Sequence, residues 1–246
     1  MREVAFSPFS GSLQAVSQLF DELSAEIRSA DSATAYDAVT NTALRRVVGA
    51  DAASITTLED RRFRTVSASD DAAVRADVIQ YELGSGPCVD SVRHDTCYRP
   101  TDMRSDDRWP EYGARVSSEV GFISMLSYRL HTELAADRVL ASLNIYATKP
   151  AAFDQSAFEV GLLLATQGAL AIAAERRQDE VVNLKRALES SREIGVALGI
   201  LMNEHKISRS RAFDLLRIAS QNSNRKLRDV AADVAHTGTL PWSAEG

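Results

Sequence analysis

The sequence predicts an α+β domain on an antiparallel sheet, then one long coiled-coil helix and an all-α three-helix module. Three observations carry that prediction. Five of the six prolines lie in the first 150 residues and none falls between 151 and 240. Long helices require such a gap, because proline removes a backbone donor and clashes with the preceding turn. Four strand-like runs occur in two pairs before residue 150, and a heptad pattern then runs from Val160 to Met202. The cut is expected near Lys149 and Pro150, giving a first domain over 1–150, a linking helix over 151–183 and a terminal module over 184–246.

Leu13, Val16, Phe20, Leu23 and Ile27 recur at steps of three and four, one apolar stripe of an amphipathic helix. A second helical stretch over 35–48 leads into 53–58 (ASITTL), which alternates and is rich in β-branched residues. Residues 62–67 (RFRTVS) follow after a charged turn, so the two runs read as a hairpin. Runs 122–131 and 139–148 are a second strand pair, joined by an expected turn at 132–137. Helix and loop fill 70–120, and the helices are expected on one side of the sheet.

Asp154 is a good N-cap for the long helix. Its a and d positions include Val160, Leu163, Leu170, Ala174, Val181, Leu184 and Leu188, the expected seam of a homodimer, with Gln167 and Arg177 as misfits. The same pattern also suits a helix packed on its own domain. After Lys206 the periodicity restarts. Ser208 caps a helix whose buried face is Ala212, Phe213, Leu215, Leu216 and Ala219; residues 220–224 form a turn; and Leu227, Val230, Ala231, Val234 and Ala235 line a last helix stopped by Gly238. Helices this short persist only when packed, so a three-helix unit is expected, with Gly195 and Gly199 permitting close approach.

Composition is that of a globular protein, 45% hydrophobic and 25% charged. Two cysteines make no disulfide framework. No apolar run reaches the roughly 20 residues that cross a bilayer, and residues 1–8 lack the apolar segment of a secretory signal. A cytoplasmic protein with no membrane contact is expected. The phosphate-loop, nucleophile-elbow and HExxH signatures are all missing from the sequence, which speaks against an enzyme. Cys88, His94 and Cys97 offer three potential metal ligands at a spacing that matches no standard zinc site, so no metal is expected.

Charge is unevenly spread. The whole chain is −6, but residues 185–228 hold ten Lys/Arg against four Asp/Glu, a net +6. An acidic protein with a basic helical end is suited to a polyanion, although a solvated helix surface has the same composition.

Residues 188–202 (LESSREIGVALGILM), 212–220 (AFDLLRIAS), 224–231 (NRKLRDVA) and 237–241 (TGTLP) resemble, in order and spacing, the three helices of an ANTAR domain. Arg211 departs from the pattern, which has an acid there. Residues 83–88 (LGSGPC), 106–110 (DDRWP), 121–130 (GFISMLSYRL) and 143–146 (LNIY) resemble a GAF sensor domain. The resemblance implies a signal-responsive transcription antiterminator, a dimer holding tandem stem-loops of nascent RNA so that a terminator cannot form. Phosphate contacts are then expected from Arg192, Arg217, Arg225, Lys226 and Arg228, and loop-base contacts from Gln221, Asn222 and Asn224. Cys88, Trp109, Tyr112, Met125 and Tyr128 are candidates for an effector pocket, reading a small molecule or a redox signal, or are simply core; any cofactor is unknown. The rival reading is a ligand-sensing dimer that acts on DNA or on a protein partner without RNA.

Overall fold

The computed structural model describes residues 13–29, 34–94, 96–130 and 140–240. The expected turn at 132–137, His131 and the prolines at 8 and 241 lie outside the described residues. The chain divides into two compact units, residues 1–177 and 178–246.

The first unit opens with α1 (Leu13–Ser29) and α2 (Ala35–Arg46). Thr34 caps α2: its Oγ1 accepts from the Asp37 backbone N–H at 3.2 Å and donates to the Asp37 carboxylate at 2.9 Å, satisfying a donor that the first turn leaves free. β1 (Ala52–Glu59) and β2 (Arg62–Ala68) form the expected hairpin. Its two-residue turn, Asp60 and Arg61, has positive φ at both positions (49° and 63°). That is the left-handed geometry which suits the strand twist but which glycine or asparagine adopts more readily.

Next come α3 (Asp71–Leu83), α4 (Pro87–His94), a 3₁₀ turn (Met103–Ser105) and α5 (Pro110–Glu119), then β3 (Ser124–Leu130) and β4 (Leu140–Ala147). Asp70 caps α3 through the Ala73 N–H at 2.8 Å, and Gly84 ends it at φ 61°. The sheet is fully antiparallel, ordered β2-β1-β4-β3.

Helical residues pack on both faces of this sheet, not on one side as the sequence suggested. On one face Ile55, Leu126, Tyr128, Leu143 and Ile145 join Leu23 and Ile27 of α1, Val39 of α2, and Leu164, Ala165, Ala169 and Ile172 of α6 (Gln155–His205). On the other, Ala52, Met125 and Tyr146 meet Ala73, Ala76 and Ile79 of α3 and Tyr112 and Val116 of α5. The period-two alternation of each strand makes this division.

α6 is capped as expected, with the Asp154 carboxylate accepting from the Ala157 N–H at 2.8 Å. Its first third belongs to the first unit's core, so the division falls inside the helix after Arg177 rather than at Lys149–Pro150. Gly161 and Gly168 permit that packing. A Cβ at Gly161 would sit 2.5 Å from the Tyr128 hydroxyl, and one at Gly168 2.9 Å from Val39. Contrary to expectation, α6 does contain a stretch long and apolar enough to cross a membrane, by length and composition; half of that stretch is buried inside the molecule.

In the second unit, Ala197, Leu198 and Leu201 of α6 pack with Ala212, Leu216 and Ala219 of α7 (Arg209–Ser223) and Val230, Ala231 and Val234 of α8 (Leu227–Thr237). Ser208 caps α7 as expected, and Gly238 ends α8 at φ 83°. Three details differ from the sequence reading. α7 continues through Gln221 and Asn222, and only Asn224 turns, left-handed at φ 50°. Phe213, expected inside, is 41% exposed. Gly195 and Gly199 approach nothing, since a Cβ at either meets no atom within 4 Å.

Candidate functional site

Two sites stand out, a sealed polar core in the first unit and a cationic surface on the second. The polar core is built by register. Ser54 and Thr56 of β1, Ser127 of β3, and Ser142, Asn144 and Tyr146 of β4 share the sheet face that α3, α4 and α5 cover, and all six are buried. Asp77, fully buried on α3, is their centre. Its Oδ1 accepts from Tyr146 Oη (2.5 Å) and Asn144 Nδ2 (3.0 Å), and its Oδ2 accepts from Thr65 Oγ1 (2.9 Å). Those donors favour the ionised carboxylate, but desolvation outweighs them and raises the Asp77 pKa. Around it Ser127 donates to Asn144 Oδ1 at 2.9 Å, and the Ser91, Ser127 and Ser142 hydroxyls form a closed triangle. The Gln80 amide oxygen accepts from the Cys88 N–H at 2.8 Å.

This arrangement sorts the five pocket candidates. Cys88 borders the polar cluster, and Trp109, Tyr112 and Met125 pack together beside it. Trp109 is held by its Nε1–H donating to Asp90 at 2.7 Å. Tyr128 does not join them; strand alternation turns it to the opposite face, where its hydroxyl donates to the Phe158 carbonyl at 2.9 Å. Burial pushes the Cys88 thiol up to about 12. Because the thiolate is the reactive form, a redox signal read at Cys88 is disfavoured. Among the described residues no group of three His, Cys, Asp or Glu is placed to hold a metal ion. The sequence reading missed Asp77 and Asn144. The available signal was small polar residues at period two in β1 and β4, a face that would be solvated had no helix covered it.

On the second unit every expected RNA contact is exposed: Arg192, Arg217, Gln221, Asn222, Asn224, Arg225, Lys226 and Arg228. Electrostatically they differ. Arg217 lies 3.6 Å from Asp214, Arg225 2.5 Å from Asp233 and Arg228 3.3 Å from Asp229. Arg192 and Lys226 have no such partner among the described residues, nor do Arg209 and Arg211, which are not among the expected RNA contacts. Unpaired cations project the stronger field. In the expected seam, Val160 and Leu163 are partly buried against the first unit's core, whereas Leu170, Ala174, Val181, Leu184 and Leu188 are exposed.

Fold and sites define a two-part protein: an α+β domain with a closed polar core, then a helical module with a cationic surface. Residues 29–173, more than half of the chain, match the GAF domain family, and residues 182–234 match the ANTAR domain. The chain therefore belongs to the GAF domain family and carries a C-terminal ANTAR domain. GAF is a sensor domain and ANTAR an RNA-binding domain of transcription antitermination, a regulatory combination. Among solved structures, the GAF domain of a phosphoenolpyruvate-protein phosphotransferase from Coxiella burnetii is similar at 14% identity and a TM-score of 0.50, covering 69% of this chain and 99% of that one. The corresponding Acinetobacter GAF domain scores 0.48 at 16% identity, covering 68% and 97%. Free methionine-R-sulfoxide reductase from Neisseria meningitidis scores 0.45 at 17% identity, covering 69% and 96%. At these identities the first of the three supports the fold alone. A comparison with curated proteins finds no match.

Proposed function

We propose that this protein is a signal-responsive, non-enzymatic antiterminator that acts in the cytoplasm as a homodimer. The second units of two copies hold paired stem-loops of a nascent transcript, so that a terminator hairpin cannot form. The observation that carries the reading is the ANTAR match over a surface of exposed cations, several of them without an acidic partner. Two such surfaces joined by one helix pair gain from effective concentration, the second hairpin binding as an intramolecular partner. Asp229, exposed, and Asp233, half-buried, stand on α8 among the basic residues and suit a duplex-DNA groove poorly, which favours RNA over DNA. The first unit supplies the signal. Its polar network around Asp77 and Asn144 is where a small polar effector would be read, by exchanging its own hydrogen bonds for those now closed within the protein.

The test is competition binding of the full chain to a two-hairpin RNA, the matching DNA duplex and no nucleic acid. The RNA arm is expected to win, with affinity falling steeply as salt rises. Arg192→Ala with Lys226→Ala is expected to weaken RNA binding and to lower the salt slope by about two, one per lost phosphate contact. Unchanged binding by a folded double variant counts against the assignment. Preference for the duplex, or binding of neither, transfers support to the rival reading.

A further inference from the structure

In the second unit, the start of α7 and the α6 turns facing it border an open cleft of about 470 Å³ lined by Ile194, Leu198, Arg209, Ser210, Phe213 and Asp214. Phe213 is 41% exposed there, although an apolar ring gains by leaving water. It stands on one i, i+4 ridge with Arg209, Arg217 and Gln221, all exposed. The ridge therefore reads cation, aromatic ring, cation, amide. An aromatic face between guanidiniums is the chemistry by which proteins hold unpaired bases, the ring stacking on the base and the cations neutralising phosphate.

We propose that this cleft receives one unpaired RNA base, stacked on Phe213, with the Arg209 guanidinium on its phosphate. Asp214 sets the choice of base. Its carboxylate now lies 3.6 Å from Arg217 and can only accept hydrogen bonds, so it favours a base with an exocyclic amino group (adenine, guanine or cytosine) over uracil, whose single N3–H donor is flanked by two carbonyl oxygens that the carboxylate repels. The same carboxylate repels phosphate, which keeps the backbone at the rim and the base inside. An apolar side chain from a protein partner would bury Asp214 and Arg209 without replacing their hydration, an unfavourable exchange. The inference rests on the RNA-binding reading above and adds a specificity-determining residue and a base class to it.

The experiment uses the full chain and a pool of two-stem-loop RNAs with randomised loops, with bound RNA sequenced and affinities measured at two salt concentrations. The unmodified protein is expected to enrich an amino-bearing base at one loop position. Phe213→Leu keeps an apolar side chain on an already exposed site. It is expected to lose that enrichment and to bind about tenfold more weakly or worse, with the salt slope unchanged because the phosphate contacts persist. Asp214→Asn, which can donate as well as accept, is expected to admit uracil. Wild-type affinity and loop selection in a Phe213→Leu protein with unaltered circular dichroism overturn the inference and leave the RNA reading standing. Loss of self-association in place of loop selection also overturns it, assigning the cleft to a second copy. Failure of the unmodified protein to bind the pool removes both.

Discussion

Asp77 is fully buried and receives side-chain hydrogen bonds, and the two circumstances pull its proton in opposite directions. Burial favours the acid and prevails, raising the folded-state pKa, against hydrogen bonds from Tyr146, Ser54, Thr65 and Asn144 that favour the carboxylate. In the unfolded chain an aspartate titrates near 3.9. Above that value the folded state holds more protons than the unfolded one, so stability falls as pH rises toward the folded pKa. Carboxylates lowered by arginine, such as Asp106 beside Arg108 and Glu26 between Arg45 and Arg46, act in the opposite sense and lose stability as pH falls. Comparing variants isolates the one residue. Asp77→Asn is expected to become progressively more stable relative to wild type as pH is raised above about 4, read as urea midpoints of the first unit. A pH-independent difference would mean that the acid is ionised in the fold.

Helix α6 shows how far pattern reading reaches. The Asp154 cap, the proline-free run and the Ser208 restart were legible, because each is a local rule expressed by neighbouring residues. Which face of the helix is buried was not. Ala157, Leu164, Ala165, Ala169 and Ile172 pack on the sheet, while the heptad chosen from the sequence follows a different stripe. A 51-residue helix carries two overlapping apolar stripes, and periodicity alone does not say which meets the sheet. The glycines separate them. Gly161, pressed on Tyr128, marks the intrachain face, whereas Gly199 faces open space. Gly161→Ala is expected to destabilise the first unit, because displacing a fully buried tyrosine costs about 1–3 kcal/mol and exceeds the gain of up to ~1 kcal/mol in helix propensity. Gly199→Ala should keep that gain. Thermal melts followed by circular dichroism should show a lowered transition for the first and an unchanged or raised one for the second. The site divides in the same way. Exposed cations are visible in a charge count, and so are the local acids beside them, Asp214 three residues before Arg217 and Asp229 next to Arg228; the emergence of Phe213 depends on how three helices meet.

At the scale of the whole molecule, the question is what covers the apolar side chains that one copy leaves in water. Val181 is 45% exposed, Leu184 60% and Leu188 62%, at heptad steps along the α6 segment of the second unit. Fully burying each such side chain is worth about 1.5–3 kcal/mol, so a matching helix from a second copy would find a substantial gain, and a heptad seam is the geometry that realises it. Arg177, at another a/d position and exposed, sets a limit: a guanidinium is costly to desolvate inside a seam, which suits a short coiled coil C-terminal to it. Replacing Leu184 and Leu188 together with glutamate puts like charges into that seam in both copies while touching no intrachain core. The double variant is expected to sediment as a monomer and to keep its helical circular dichroism. It should bind a single stem-loop as the parent does, but lose the advantage of about a hundredfold or more that two linked sites confer on a two-stem-loop RNA. A variant that remained dimeric would move the dimer contact elsewhere. A monomer that still held paired hairpins with parental affinity would separate RNA recognition from pairing of the chains, and the transcript would then have to bridge its two stem-loops on one copy.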